Sequence, residues 1–207
     1  MKAFVFTGGK VYDEYVVERP GEGDLILSAD AGLLTAKRFG YTPQIVLGDF
    51  DTLRNPEFPE GAEVLRSPAE KNDTDTQLAV QTAISRGAGE LILIGGMEGR
   101  VDHTLSTLAV AEKLWELHIP MILTNGKNRV RFVRSSGVIL MRSQYTFFSI
   151  LAVDEELKGV TLEGCKYPLK KAKISRSHQW AVSNEITGNC ALIEIRKGGA
   201  FIIESMD

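Results

Sequence analysis

Apolar positions fall into short continuous runs over the first 125 residues and into scattered β-like runs afterwards. Lys2 to Phe6, Leu25 to Leu27, Ile45 to Leu47, Leu91 to Ile94 and Met121 to Leu123 each stop at a Gly, Ser or Thr. Runs that are apolar at nearly every position predict strands covered on both faces, as in a parallel sheet. Val64-Leu65 is at most a short strand, and Asn55 to Gly61, with two prolines and a glycine, is a loop. Helical patterns lie between the strands. One follows Gly32, with Leu33, Leu34, Ala36, Lys37 and Phe39 before Gly40. A second opens at Asp73-Thr74-Asp75, capped by Asp73 or Thr74, and carries Leu78, Ala79, Thr82 and Ala83 on one face. The longest runs from Asp102 to Leu117, with Leu105, Leu108, Ala109, Leu114 and Leu117 as its apolar positions.

Strands alternating with helices imply βαβ units. After Asn125 the helical period is lost. Val130 to Phe132, Val138 to Met141, Tyr145 to Leu151, Val160 to Leu162, Leu192 to Ile195 and Phe201 to Ile203 are short runs split by Gly, Ser and Asn. They predict a sandwich or barrel. The expected fold class is α/β: an N-terminal parallel-sheet nucleotide-binding domain, residues 1–127, followed by an all-β sandwich domain, residues 128–207.

Composition narrows the function classes. The chain has 207 residues, 43% hydrophobic and 25% charged, an ordinary balance for a folded globular protein. A net charge of −3 exerts no general pull on nucleic acid or an anionic membrane. No apolar stretch is long enough to span a bilayer, and the first strand begins at Lys2, leaving no room for a signal peptide. A cytoplasmic location is expected. Cys165 and Cys190 form no disulfide framework and lack metal-ligand spacing, so both are expected as small buried apolar residues.

The candidate chemistry lies where the strands end. Asp30 follows the second strand, Asp49 and Asp51 follow the third in Gly48-Asp49-Phe50-Asp51, Asp75 opens a helix, and Asp102 opens another. In a parallel sheet these acids share one edge, where ligands of open α/β sheets bind. So many carboxylates in one cleft repel each other unless cations are present. An all-oxygen set suits Mg²⁺, which completes its shell with water and substrate phosphate oxygens. Asp73 and Asp30, taken singly, read equally well as cap or turn residues and as members of this acidic set. Gly95-Gly96-Met97-Glu98-Gly99-Arg100 then supplies a backbone that can approach an oligophosphate, with a helix start behind it. Arg100 offers a forked phosphate contact and Lys71 a point charge. The loop has neither the dinucleotide fingerprint nor a Walker A ending. A Mg²⁺-dependent enzyme acting on a phosphorylated substrate is the expectation from these residues.

Ser28-Ala29-Asp30-Ala31-Gly32, Gly48-Asp49-Phe50-Asp51-Thr52, Lys71-Asn72-Asp73-Thr74-Asp75 and Gly95 to His103 occur in that order. Together with Gly164 to Leu169 and Val182-Ser183-Asn184-Glu185, this ordered set resembles the thiamine pyrophosphokinase family along nearly the whole chain. The resemblance implies transfer of the pyrophosphoryl group of ATP to the hydroxyl of thiamine, and a homodimer with its active site at the subunit interface. It assigns Asp49, Asp51 and Asp75 to Mg²⁺, with Asp30 close by. Arg100 and Lys71 go to the ATP phosphates, with Gly95, Gly96, His103, Thr124 and Asn125 as further ATP-binding candidates. Asp102, Ser183 and Asn184 go to the aminopyrimidine of thiamine, whose amino group and ring nitrogens need acceptors and donors. Tyr167 or Trp180 offers a ring face to the thiazolium cation, and packing reads equally well for both. Asp49, Asp51, Asp75 and Arg100 are the catalytic set, with Asp51 and Asp75 as alternatives for accepting the hydroxyl proton. Three positions depart from the family pattern. Thr52 stands for Ser, Cys165 for an aliphatic residue, and Glu98 for a glycine. Glu98 either points to solvent or joins the metal shell. The rival readings are a Mg²⁺-dependent phosphohydrolase, separated by product release without thiamine, and a non-catalytic sensor, against which the full set of acids argues.

Overall fold

The continuous apolar runs become parallel strands because both of their faces are covered. In the computed structural model, which describes residues 1–51, 56–66 and 73–207, β1 (Lys2–Phe6) buries Ala3 and Val5 on one side and Phe4 and Phe6 on the other. It is followed by β2 (Leu25–Ala29), α1 (Gly32–Arg38), β3 (Ile45–Gly48), β4 (Glu63–Arg66), α2 (Asp75–Ser85), β5 (Glu90–Ile94), α3 (Val101–Glu116) and β6 (Met121–Thr124). These elements lie in the first of two compact units, Met1–Gly126. Within it the strand order is β4-β3-β2-β1-β5-β6, all parallel, with Val5 of β1 paired to Leu27 on one side and Leu93 on the other. Helix α1 packs on β1 and β2, α2 on β1 to β3, and α3 on β6. Phe4, Phe6, Ile92 and Ile94 form one core cluster with Ala36. Lys71, Asn72 and Thr52, all quoted above for the motifs, lie outside the described residues, as does Asn55 at the head of the expected loop.

The order of the strands positions the site. The chain runs from β1 to β4 in one direction and then returns to lay β5 on the opposite side of β1. At such a reversal the loops leaving the two central strands part, and a crevice opens beyond their carboxyl ends.

The second unit, Lys127–Asp207, is antiparallel throughout its strand pairs. It contains β7 (Asn128–Arg134), β8 (Gly137–Met141), β9 (Phe147–Ala152), β10 (Glu156–Glu163), β11 (Leu169–Ser175), β12 (Cys190–Lys197) and β13 (Gly199–Ser205). Strand β13 pairs with β7 and β9, while β11, β10, β12 and β8 form a sheet in that order. Alternation is plain in β12, where Ala191, Ile193 and Ile195 are buried and their neighbours are not.

The structure corrects the sequence reading in three places. Helix α3 buries Thr107, Val110, Ala111 and Leu114, whereas Leu105 and Leu117 face out at 61% and 51% exposure. A threonine can occupy the packed stripe because its hydroxyl donates to the His103 carbonyl at 2.9 Å. Strand β11 was not expected, because Lys170, Lys171 and Lys173 mask its apolar positions. It lies at the edge of its sheet, where lysines are favoured. Cys165 is buried as expected, but Cys190 is exposed on the outer face of β12. No helix among the described residues is long and apolar enough to cross a membrane.

Either Asp73 or Thr74 could cap α2, and the structure selects Thr74. Its hydroxyl accepts from the Gln77 amide at 3.2 Å while the Gln77 side chain accepts from the Thr74 amide at 2.8 Å, a reciprocal capping box. Thr74→Ala is expected to cost about 1 kcal/mol, read as a lower urea midpoint at unchanged slope.

Candidate active site

The carboxyl ends of β1, β2, β3 and β5 and the first turns of α2 and α3 enclose a cavity of about 650 Å³. Its acidic wall is built by two corners. At the first, Asp30 follows β2 and takes a left-handed backbone, φ 46°, with its amide donating to the Leu47 carbonyl at 2.7 Å. At the second, Phe50 is left-handed as well, φ 62°. Non-glycine residues in this region cost of order 1–3 kcal/mol each and persist only where their surroundings hold them. Phe50 is held by burial against Leu33 and Val46 and by an edge-on contact with Phe58 at 4.9 Å. With Phe50 turned into the core, Asp49 and Asp51 are left on the cavity side, and the Asp49 carboxylate accepts from the Asp51 amide at 3.2 Å.

Asp30, Asp49 and Asp51 each bring a carboxylate oxygen within 4.8 Å of the others. Three hard oxygen donors at that spacing fit a small divalent cation and suit no soft metal. Asp75, the first residue of α2, lines the same cavity but stands outside that group of three.

The opposite wall comes from loops that leave the two central strands. Thr7, Gly8 and Gly9 after β1 and Gly96 and Glu98 after β5 line it, and the Gly96 amide donates to the Gly8 carbonyl at 2.8 Å. A Cβ on Gly95, φ 108°, would lie 2.7 Å from the Thr7 carbonyl oxygen, so this glycine is what allows the two loops to meet. Gly8 and Gly9 are not among the candidate site residues of the sequence. Their place in the site follows from the strand order, which local pattern does not carry.

Arg100, the N-cap of α3, and His103, in its first turn, complete the lining. The amides of this helix start and the Arg100 guanidinium bring positive charge to one end of an otherwise acidic cavity, a chemistry that can hold an anion. Arg100 grips the Asp102 carboxylate through two bonds, 2.7 and 3.1 Å, and Asp102 also accepts from the His103 amide at 2.9 Å. The guanidinium thereby holds the Asp102 carboxyl below its usual range. Asp102 itself is not on the cavity wall. Thr124 and Asn125 are fully packed at 0% and 1% exposure. The Thr124 hydroxyl accepts from Gly126, and the Asn125 carbonyl accepts from Tyr12. They sit beneath the loops rather than on the cavity surface.

In the second unit, Tyr167, Trp180 and Asn184, with Leu162, Leu169 and Val182, surround an apolar cavity of about 390 Å³. Tyr167 and Trp180 are 56% and 43% exposed, two large rings left open around a hollow. Asn184 is buried, and its amide is fully used. The oxygen accepts from the Tyr167 and Glu185 amides at 3.0 and 2.9 Å, and the nitrogen donates to the Tyr167 carbonyl at 2.9 Å and the Cys165 sulfur at 3.4 Å. With all four positions taken, its side chain shapes the Tyr167 turn instead of presenting free hydrogen-bonding groups. Asn184→Ala should lower stability by about 2–3 kcal/mol, seen as an earlier thermal transition, because buried partners are left unmatched. Ser183, exposed and left-handed at φ 54°, donates its amide to the Ser149 hydroxyl.

A family model described as the thiamin pyrophosphokinase catalytic domain matches residues 21–123, and one described as the thiamin pyrophosphokinase vitamin B1 binding domain matches residues 137–198. The thiamine pyrophosphokinase of Bacillus subtilis is 26% identical over 191 residues, covering 90% of this chain and 89% of its own. A crystal structure of thiamin pyrophosphokinase from Geobacillus thermodenitrificans superposes with a TM-score of 0.87 at 26% identity, over 100% of this chain and 98% of that one. The Bacillus subtilis crystal structure gives 0.88 at 23% identity over the whole of both chains, a likeness of fold. Two consecutive family models matched in order, and a relative aligned along nine-tenths of the sequence, show that the chain belongs to the thiamine pyrophosphokinase family.

Proposed function

We propose that this chain transfers the pyrophosphoryl group of ATP to the hydroxyl of thiamine, releasing AMP. The observation that carries this reading is the meeting of Asp30, Asp49 and Asp51, oxygens within 4.8 Å, in one cavity with Arg100 and the start of α3. Such a cavity suits a triphosphate that arrives with a divalent cation: acids at one side for the metal, a guanidinium and helix amides for the anion. Asp30, Asp49 and Asp51 would hold Mg²⁺, with Asp75 reaching the same space. When bound, the cation would supply charge neutralisation at phosphate oxygens.

The rest is positioning. Arg100, held by Asp102 through Nε and Nη2, offers its remaining N–H groups to phosphate oxygens, and the loops carrying Gly8, Gly9 and Gly96 let backbone approach the chain of phosphates. The thiamine hydroxyl attacks the β-phosphorus in line with the departing AMP, and an aspartate of the acidic wall takes its proton. Residues 1–127 form the catalytic, ATP-binding part, and residues 128–207 form a β-sandwich that contributes the thiamine side through Tyr167, Trp180 and Ser183, with Asn184 shaping their surroundings. The working form is a cytoplasmic homodimer.

The test is direct. Purified protein, ATP, Mg²⁺ and thiamine should yield AMP and thiamine diphosphate, and no AMP when thiamine is omitted. Phosphate or pyrophosphate release without thiamine would replace this reading with a phosphohydrolase.

A further inference from the structure

Glu98 is a charged residue of the cavity that the roles above leave unused. It stands on the loop after β5, whereas Asp30, Asp49 and Asp51 follow β2 and β3. These strands lie two and three places from β5, roughly 10–15 Å of sheet at ~4.8 Å per strand. Glu98 accordingly falls outside the group of carboxylates that can share an ion. It does line the cavity. Glu98 is thus an exposed residue of the cavity wall that stands outside the metal group.

A carboxylate facing a triphosphate repels it, so a residue in this place needs a cation to answer. Lys10 is close, on the loop that packs Gly9 against the Glu98 carbonyl, where an added Cβ would sit at 3.3 Å. The Lys10 amine, however, lies 4.4 Å over the Tyr12 ring, and Tyr12 is the main cause of its raised pKa, with Glu98 a lesser one. Its charge is shared, and Glu98 keeps capacity for a second cation. Of the two substrates, ATP brings only negative charge. Thiamine brings a permanent positive one, on the thiazolium ring that bears the nucleophilic arm. When the hydroxyl reaches the β-phosphorus, that ring is drawn into the same cavity.

We propose that Glu98 is a specificity-determining residue for the acceptor substrate, the counter-charge that seats the thiazolium cation beside the triphosphate. The inference rests on the pyrophosphokinase reading of the site. Glu98 is exposed, so neutral replacements leave the fold intact. It is tested with Glu98→Gln and Glu98→Gly, using calorimetric binding of thiamine in the presence of Mg²⁺ and a non-hydrolysable ATP analogue. The second ligand is the uncharged thiophene isostere of thiamine, in which carbon replaces the ring nitrogen. Both variants are expected to weaken thiamine about tenfold, equivalent to ~1.4 kcal/mol, and to leave the isostere unchanged. Lys10→Met should tighten thiamine, because Glu98 then has no competing cation. Equal losses for thiamine and isostere, a loss confined to the ATP analogue, or no loss at all would each overturn the proposal. AMP formation by the wild-type chain reports separately on the reaction. Charge-selective binding without AMP would remove the pyrophosphokinase reading and leave the counter-charge. AMP formation with no charge-selective loss would do the reverse.

Discussion

Asp49→Asn should remove AMP formation by roughly 10³-fold while the protein stays folded, since a metal-held phosphate depends on charge at this position. Asparagine keeps the shape of the side chain and an oxygen that can still accept from the Asp51 amide, now at 3.2 Å from Asp49. The corner is therefore preserved, and the change is one of charge. Stability gives a second readout. Asp30, Asp49 and Asp51 repel one another without a cation, so the variant should melt no lower than wild type in metal-free buffer. Adding Mg²⁺ should raise the wild-type transition through binding to the folded state and leave the variant nearly unmoved. A variant that makes AMP at the wild-type rate, or that gains as much from Mg²⁺, would show that these acids do not hold the metal.

Gly32→Ala should unfold the first unit or bring it close to unfolding. A Cβ at this position would lie 2.0 Å from the Phe6 carbonyl oxygen, 2.4 Å from the Phe6 carbonyl carbon and 2.7 Å from the Thr7 nitrogen. All three are backbone atoms of β1 and the loop after it, so no side chain can swing aside. Helix α1 would have to lift from the sheet, separating Leu33 and Ala36 from the cores they fill. The expected cost is about 4 kcal/mol or more, among the largest single-residue effects, and lowers the melting temperature by roughly 10–20 °C. Thermal scans of G32A measure it, and a transition within two or three degrees of wild type (about 1 kcal/mol at most) would refute the close approach. The same displacement moves Thr7 and Gly8, so whatever protein remains folded should also lose activity.

These two residues differ in how much of their role was legible in the chain. The importance of Asp49 could be read locally, because an apolar run that ends in Gly-Asp-Phe-Asp places acids at the rim of a buried strand. The requirement for glycine at position 32 could not, since it arises from the backbone of a strand 26 residues earlier. Asn184 shows the same limit from the other side. The family resemblance assigned it to the aminopyrimidine, and what no short window carries is that the fold uses all four of its hydrogen-bonding positions to hold Cys165, Tyr167 and Glu185. Thr124 and Asn125 end a strand beside the site and still lie under it. Leu105 and Leu117 were apolar positions of the helical pattern, but α3 packs on β6 and against α2 with the stripe of Thr107, Val110, Ala111 and Leu114, which leaves both leucines outside.

By itself, the sequence determined which segments are covered on both faces, where each strand stops, and that the stops carry carboxylates; it also carried the ordered motifs of the family. These are properties of short windows, set by side-chain solubility and by the conformations glycine allows. Tertiary structure alone decided that β1 lies between β2 and β5. That choice opens the crevice, brings Thr7, Gly8 and Gly9 to its wall, and sets Glu98 across from the acids instead of among them. Strand neighbours are selected by packing over the whole sheet, where contributions from residues far apart in the chain add up. No local pattern of polar and apolar positions records that sum.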